Sequence, residues 1–288
     1  MKVGLHAFMT ESTASPASIA RKVEALGFDA MFIPEHLMIP IHHKTPYPFG
    51  DGTIPELYSH LPELFVSLAL AVGATTRLKL GSGICLVPER DPIVMAKEIS
   101  TLDHYSGGRI LFGIGAGWLA DELEIMGVEF KRRWPMTREY IAAMKELWTK
   151  PEPSFEGNFI RFPKVKLFPK PAQKPHPPVI IGAGGSGLSC ERALKDTLAM
   201  GDGWMPVGLT PAQLSDELGN LRRMCADAKR DFSGIEITLL MLEPLHDPAR
   251  ALKEYQEAGA HRLLVVAPTL AADKYERELE DLARVYLR

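Results

Sequence analysis

Residues 178–187 read Pro-Val-Ile-Ile-Gly-Ala-Gly-Gly-Ser-Gly. This apolar run breaks into the spacing G-x-G-x-x-G, and two folds compete for it. In a doubly wound dinucleotide domain, such glycines follow the first strand, and an acid about 20 residues on, at the end of the next strand, holds the ribose. Asp202 has the distance but stands between Gly201 and Gly203, ahead of the next apolar run, Gly-Trp-Met-Pro-Val. It therefore faces the wrong end of that strand, and the nicotinamide reading fails. Glycines between a strand and a helix still expose backbone N–H groups to an anion, so a phosphate loop and a bare structural turn remain open.

Outward from this stretch the same rhythm repeats. Apolar runs occur at 2–6, 30–34, 78–84, 110–115, 178–183, 203–208, 236–242 and 262–268 (the last is RLLVVAP). They are continuous rather than alternating, as in parallel strands covered on both faces. Between them Ile19, Val23 and Leu26, then Met95, Ile99 and Leu102, and likewise Leu214, Leu218, Leu221 and Cys225, and Tyr275, Leu279, Leu282 and Tyr286, follow helical spacing. Four helix starts pair a capping residue with proline: Ser15-Pro16, Asp91-Pro92, Thr210-Pro211 and Asp247-Pro248. Eight strand-then-helix units in 288 residues average 36 each, which suits an α/β fold of the (β/α)8 TIM barrel type in a single domain, 1–288. A doubly wound sheet is the alternative, and the absence of a composition shift favours closure. Two loop insertions, about 35–61 and 150–178, are expected at the C-terminal mouth, where such barrels hold their sites.

A net charge of −3 gives no electrostatic footprint for nucleic acid or an anionic membrane. No apolar run has the length of a membrane helix, and the first residues lack a signal-peptide core, so a cytoplasmic protein is expected. Cys85, Cys190 and Cys225 lack zinc spacing and read as reduced, mostly buried thiols. His42 and His43 have no carboxylate spaced to complete a metal site, so no metal is expected. Glu35 and His36 end the second strand, placing an acid and an imidazole at the mouth; a catalytic and a structural histidine both fit. Gly113, Gly115 and Gly117 end the fourth strand, either admitting a planar ligand or making a tight turn. Lys131-Arg132-Arg133 reads as a solvated basic turn or a hold for an acidic cofactor tail.

Three stretches carry a family resemblance: FDAMFIPEH (28–36), LGSGICLVPERDPIVMAKEISTLDHYSGGRILFGIGAGW (80–118), and PHPPVIIGAGGSG with GDGW (175–187, 201–204). Together the chain resembles the luciferase-like monooxygenase superfamily, in particular its F420-dependent oxidoreductase branch, over nearly its whole length. The resemblance implies a bacterial-luciferase-like barrel with a deazaflavin ring at the mouth. It implies that Glu35 and His36 meet the cofactor, with His36 near the reacting carbon as the catalytic residue. Ser82, Gly83 and Cys85 would match a bulged third strand with a non-prolyl cis peptide at Gly83. Ala116, Gly117 and Asp121 would match a cofactor loop after strand four. Gly184, Gly185, Gly187 and Leu188 would match the phosphate loop. Trp118 stands where the sugar-phosphate dehydrogenases of the branch carry a glutamate, Cys85 where a small hydroxyl residue can occur, and Glu35 where aspartate is commoner.

The expectation is an F420-dependent oxidoreductase that moves a hydride between deazaflavin C5 and a small organic substrate. A two-component FMN-dependent monooxygenase, which needs a separate flavin reductase, and a non-catalytic flavin-binding relative are the rivals. The resemblance also implies a homodimer.

Overall fold

Each of the eight apolar runs forms a strand of one closed parallel barrel. The computed structural model describes residues 1–267 and 269–287; Pro268, the end of the run RLLVVAP, and Arg288 lie outside them. The chain runs β1 (Lys2–His6), α1 (Pro16–Leu26), β2 (Ala30–Ile33), α2 (Leu64–Ala74), β3 (Lys79–Ser82), β4 (Cys85–Leu86), α3 (Pro92–Ser106) and β5 (Ile110–Gly115). It continues through α4 (Ala120–Ile125), α5 (Arg133–Thr149), a small hairpin of β6 (Phe155–Glu156) and β7 (Arg161–Phe162), and β8 (Val179–Ile181). It ends with α6 (Glu191–Met200), β9 (Gly203–Trp204), α7 (Pro211–Asp227), β10 (Glu236–Met241), α8 (Pro248–Ala258), β11 (Arg262–Val266) and α9 (Tyr275–Tyr286).

β3 and β4 are halves of one barrel strand, separated by a cis Gly83–Ile84 bond at the position the resemblance implied. The hydrogen-bonded order is β3-β2-β1-β11-β10-β9-β8-β5-β4, and β3 also pairs with β5, which closes the ring. The four proline starts behave as the sequence suggests. Ser15 accepts from the Ser18 N–H, Asp91 from Ile93 and Val94, and Asp247 from Arg250, while Thr210 and Gln213 form a reciprocal capping box.

Two apolar layers result. Phe32, Leu111, Ile180, Met205, Leu240 and Leu264 fill the barrel, and a larger core lies between strands and helices. The N-terminal end of the barrel is sealed by polar groups: the fully buried Arg262 donates to Asp29, Glu236 and Thr238. The Asp202 carboxylate accepts from the Val179 N–H at the start of β8, far from a ribose role.

One insertion departs from expectation. Residues 35–61 cross the mouth, and Tyr47, Pro48, Phe49 and Tyr58 line the cavity there, whereas no residue of 150–178 does. That second segment links the C-terminal end of α5 to the N-terminal end of β8. It packs outside the barrel, where Glu139 of α5 accepts from the Asn158, Phe159 and Ile160 amides, Lys97 of α3 donates to the Phe168 carbonyl, and Gln173 bonds Asp103. Among the described residues, no helix is long and apolar enough to cross a membrane. The three cysteines are free and buried.

Candidate active site at the barrel mouth

The C-terminal strand ends surround a cavity of about 360 Å³. At the end of β2, His36 is 7% exposed and its Nδ1–H donates to the Glu122 carboxylate at 2.6 Å. The other Glu122 oxygen accepts the Leu37 and Met38 amides at 2.8 and 3.2 Å. Glu122 thus fixes both the imidazole and the backbone that carries it, and Nε2 is the ring nitrogen left for a ligand in the cavity. Tyr58 and Trp118 pack edge-on against the ring, with centroids 5.2 and 5.6 Å away.

Glu35 also lines the cavity, but its oxygens are committed elsewhere. Arg90 donates to it through Nε and a second guanidinium nitrogen, and the Leu86 N–H donates at 2.7 Å. Arg90 in turn reaches Glu63 at 2.6 Å. Glu35 therefore ties the end of β2 to β4.

The β3/β4 bulge sends Ile84 into the cavity. Its room comes from the neighbours: a Cβ on Gly115 would lie 1.9 Å from Ile84 Cδ1, one on Gly182 2.2 Å from Ile84 Cγ2, and one on Gly113 2.0 Å from the Ser82 carbonyl oxygen. The strand-four glycines thus serve strand packing first, while Ala116 and Gly117 line the cavity. Gly83 lines it too, but Ser82 and Cys85 do not. The Ser82 hydroxyl donates to the Gly113 carbonyl at 2.7 Å, and Cys85 points outward to Met95, Sγ to Sδ 3.7 Å. Successive side chains along a strand face opposite ways, and these two fall on structural sides.

His6, at the end of β1, escapes the sequence reading although its strand-end position is the same signal that marks His36. Its Nε2–H donates to the Gly83 carbonyl at 2.6 Å. Burial lowers its pKa to about 4 against the opposing effect of that bond, so it is a neutral wall of the cavity.

Asp121 stands apart from this cavity. Its carboxylate accepts the Lys44 and Thr45 amides and the Thr45 hydroxyl, at 2.9, 3.1 and 2.7 Å, and does not line the cavity at the mouth. Neighbouring helical residues diverge by about 100°, so the acid that reaches His36 is Glu122. Of the basic turn, Arg133 joins the cavity wall: its Nε–H donates to the Gly117 carbonyl at 3.1 Å and its guanidinium lies 3.5 Å from the centre of the Phe130 ring.

The opposite end of the cavity is backbone. Gly184, Gly185 and Gly187 have φ of 78°, 149° and 74°, and a Cβ on Gly185 would lie 2.2 Å from the Val207 carbonyl oxygen. The Ser186 amide donates to the Val207 carbonyl after β9, and the Leu188 amide to the Gly185 carbonyl within the turn. Among the described residues, the amides of Gly184 and Gly187 have no backbone acceptor, the Gly185 N–H faces the Cys190 thiol, and Cys190, which precedes α6, gives it no side-chain cap. Gly184 and Leu188 line the cavity itself, while Gly185 and Gly187 shape the turn behind it. Free amides beside an uncapped helix start suit an anion. Burial lowers the Arg133 pKa and the charge of Arg192 adds to this, so two cations share one neighbourhood. Among the described residues, no cluster of three or more metal-binding side chains occurs.

A sequence profile described as luciferase-like monooxygenase matches residues 6–286. An uncharacterized protein of Mycobacterium tuberculosis is 36% identical, covering 98% of each chain. An F420-dependent glucose-6-phosphate dehydrogenase of Intrasporangium calvum is 32% identical over 57% of this chain and 46% of its own. An FMNH2-dependent dimethylsulfone monooxygenase of Pseudomonas putida is 35% identical over 46% and 36%. Relatives thus use either cofactor. Among solved structures, the monooxygenase RslO1 of Streptomyces bottropensis superposes with a TM-score of 0.76 at 20% identity, covering 100% of this chain and 99% of that one.

Proposed function

The chain belongs to the luciferase-like monooxygenase family, and from that premise we propose that it is a cytoplasmic F420-dependent oxidoreductase. It transfers a hydride between deazaflavin C5 and a small organic substrate. The observation that carries this reading is the division of the cavity: an imidazole anchored on Glu122 at one end, free glycine amides and cations at the other. A planar ring with a phosphate tail fits that arrangement. Gly184 and Leu188, backed by Gly185 and Gly187 and the start of α6, would hold the phosphate; Gly83, Ala116 and Gly117 would meet the ring. When bound, the deazaflavin supplies the hydride donor or acceptor.

The chain's own residues do the rest. His36 accepts or donates the proton at Nε2 that accompanies hydride transfer, and the Glu122 carboxylate orients the ring and steadies its protonated form. Tyr47 and Tyr58, whose hydroxyls share a 2.9 Å hydrogen bond, together with Phe49 and Trp118, exclude water from one side. Burial raises the Tyr58 hydroxyl pKa far above its ordinary value, so it stays neutral. The compact barrel, without large further insertions, favours F420 over FMN, and no reductase is then required. The outer faces of α2 and α3 expose Val66, Leu70, Ile93 and Val94, which supports a homodimer as the working form.

Titration of the purified protein with F420 and with FMN tests the cofactor; submicromolar FMN binding without F420 binding overturns this reading. With the cofactor fixed, H36A should lower turnover by about 10²–10⁴, and unchanged turnover removes His36 from the mechanism.

A further inference from the structure

Glu89 does not line the cavity, yet it lies directly behind its wall. It sits in the short turn between β4 and α3, 6% exposed, and neither carboxyl oxygen has a hydrogen-bond partner among the described residues. Its Oε1 is 3.5 Å from the place a Cβ on Gly117 would take, directly behind a residue of the cavity wall. Buried polar groups are nearly always partnered, so two orphaned oxygens on one side chain call for a reason.

Its charged neighbours come from several elements. From α4 comes Glu122, already engaged by His36 and two amides. From the end of β2 comes Glu35, and beside Glu89 stands Arg90, which is spent on Glu35 and Glu63. From α5, Arg133 caps the far side of Gly117 and the Phe130 carbonyl. Burial first, then the negative charges of Glu122 and Glu35, push the Glu89 carboxyl up to about 9 against the weaker pull of Arg90. At neutral pH it is a carboxylic acid.

We propose that Glu89 is a positioning residue of the active site: a buried, unpartnered acid behind the Gly117 wall, whose proton decides whether Glu122 holds His36 with or without a second negative charge nearby. With that proton in place, a proton taken up at His36 Nε2 leaves an imidazolium balanced by Glu122 alone, and the ring can release it again. When Glu89 loses its proton to solvent, a second negative charge stands near the pair and holds the imidazolium more tightly. Coupling is reciprocal, so each proton on His36 weakens the hold of Glu89 on its own. The inference rests on His36 as the proton-handling group, but its test needs neither cofactor nor substrate.

The full chain is titrated from pH 5 to 10 while the His36 ring nitrogens are followed by ¹⁵N NMR, assigned with H36N. The wild type should show a second, alkaline inflection in the His36 curve that E89Q abolishes. Infrared spectra at pH 7 should hold a protonated-carboxyl band that E89Q also removes. Folding gives a third readout. Because the folded-state pKa lies above the unfolded one, Glu89 favours the folded state at low pH and loses that advantage as pH rises from about 4.5 to about 9. The folding constant of E89Q relative to wild type should then grow by up to about tenfold per pH unit. E89L, apolar and without a proton to give, must reproduce the lost inflection should the amide disturb the fold. His36 curves that superimpose for wild type and E89Q, or an unchanged carboxyl band, overturn the proposal. Unaffected turnover in H36A would instead overturn the role of His36 and leave these titrations standing.

Discussion

The two ends of the cavity are built from opposite materials. At the β2 end, charged side chains hold one another: Glu35 with Arg90, His36 with Glu122. At the β8 end the contact surface is mostly glycine backbone, turned so that the amides of Gly184 and Gly187 have no backbone acceptor. A group held by partners depends on each partner being present, because removal of one leaves the other buried and uncompensated. A group held by backbone conformation depends only on the absence of a Cβ. The first end should therefore fail by charge, the second by shape.

The largest effect is expected at the buried ion pair of the β2 end. R90A strands the Glu35 carboxylate, whose side chain is 2% exposed, and should cost about 3–5 kcal/mol in denaturant unfolding. The pair R90M and E35M together should cost much less than R90A alone, since the desolvated charges leave together. If the double variant is as unstable as R90A, packing and not charge governs this end.

His6 tests the same distinction with pH. Its folded-state pKa, lowered by burial to about 4, lies below the ordinary value of 6.5, so the unfolded chain binds the extra proton between the two. Stability is full above about 6.5 and falls as the pH drops toward 4, by about 3 kcal/mol in total. H6N should flatten that acid slope while leaving the slope above pH 7 alone. An unchanged acid limb would mean that other groups set it.

How much of this can be read from the chain differs between the ends. All eight strands and four capped helices are legible, because apolar runs, helical spacing and Asp/Ser/Thr-Pro starts are local physics. The glycine loop is legible for the same reason, since its chemistry is its own backbone. The charged end is legible only in part. His36 is marked by its place after β2, yet its partner lies 86 residues away on α4, and the choice between Asp121 and Glu122 depends on a helix phase that no neighbouring pattern fixes. Glu89 gives no local signal at all, because its character comes from burial and from the charges of Glu122 and Glu35. The second insertion misleads because a break in the strand–helix rhythm marks irregular structure without saying at which end of the barrel it lies.

The glycine end should respond to a single methyl group. At Gly185, with φ +149°, an added methyl would lie 2.2 Å from the Val207 carbonyl oxygen, whereas at Gly187, with φ +74°, it would meet nothing within 4 Å. G185A should thus cost about 1–3 kcal/mol of strain and weaken F420 binding in a calorimetric titration. G187A should cost only the left-handed penalty of about 1–2 kcal/mol and keep most of the affinity. Equal losses in both would show that the turn needs flexibility, not clearance.

The smallest effect belongs to Asp121, which stands at the charged end but outside the cavity. It fixes the 35–61 loop by accepting from Lys44 and Thr45, and these bonds, the Thr45 hydroxyl foremost, hold its pKa down to about 2. A lowered carboxylate pKa stabilises above the ordinary value and loses its effect as pH falls toward 2, so the loop should be insensitive to pH across the neutral range. Being partly solvated, the bonds should be worth about 1 kcal/mol or less in global unfolding. Their loss in D121A should appear locally, as faster amide hydrogen exchange at Lys44 and Thr45 and a raised KM with little change in kcat, since Tyr47 and Phe49 on the same loop line the cavity. If kcat falls as far as it does in H36A, Asp121 acts on the reacting groups themselves, and the division between loop anchor and proton site drawn at Asp121 and Glu122 is wrong.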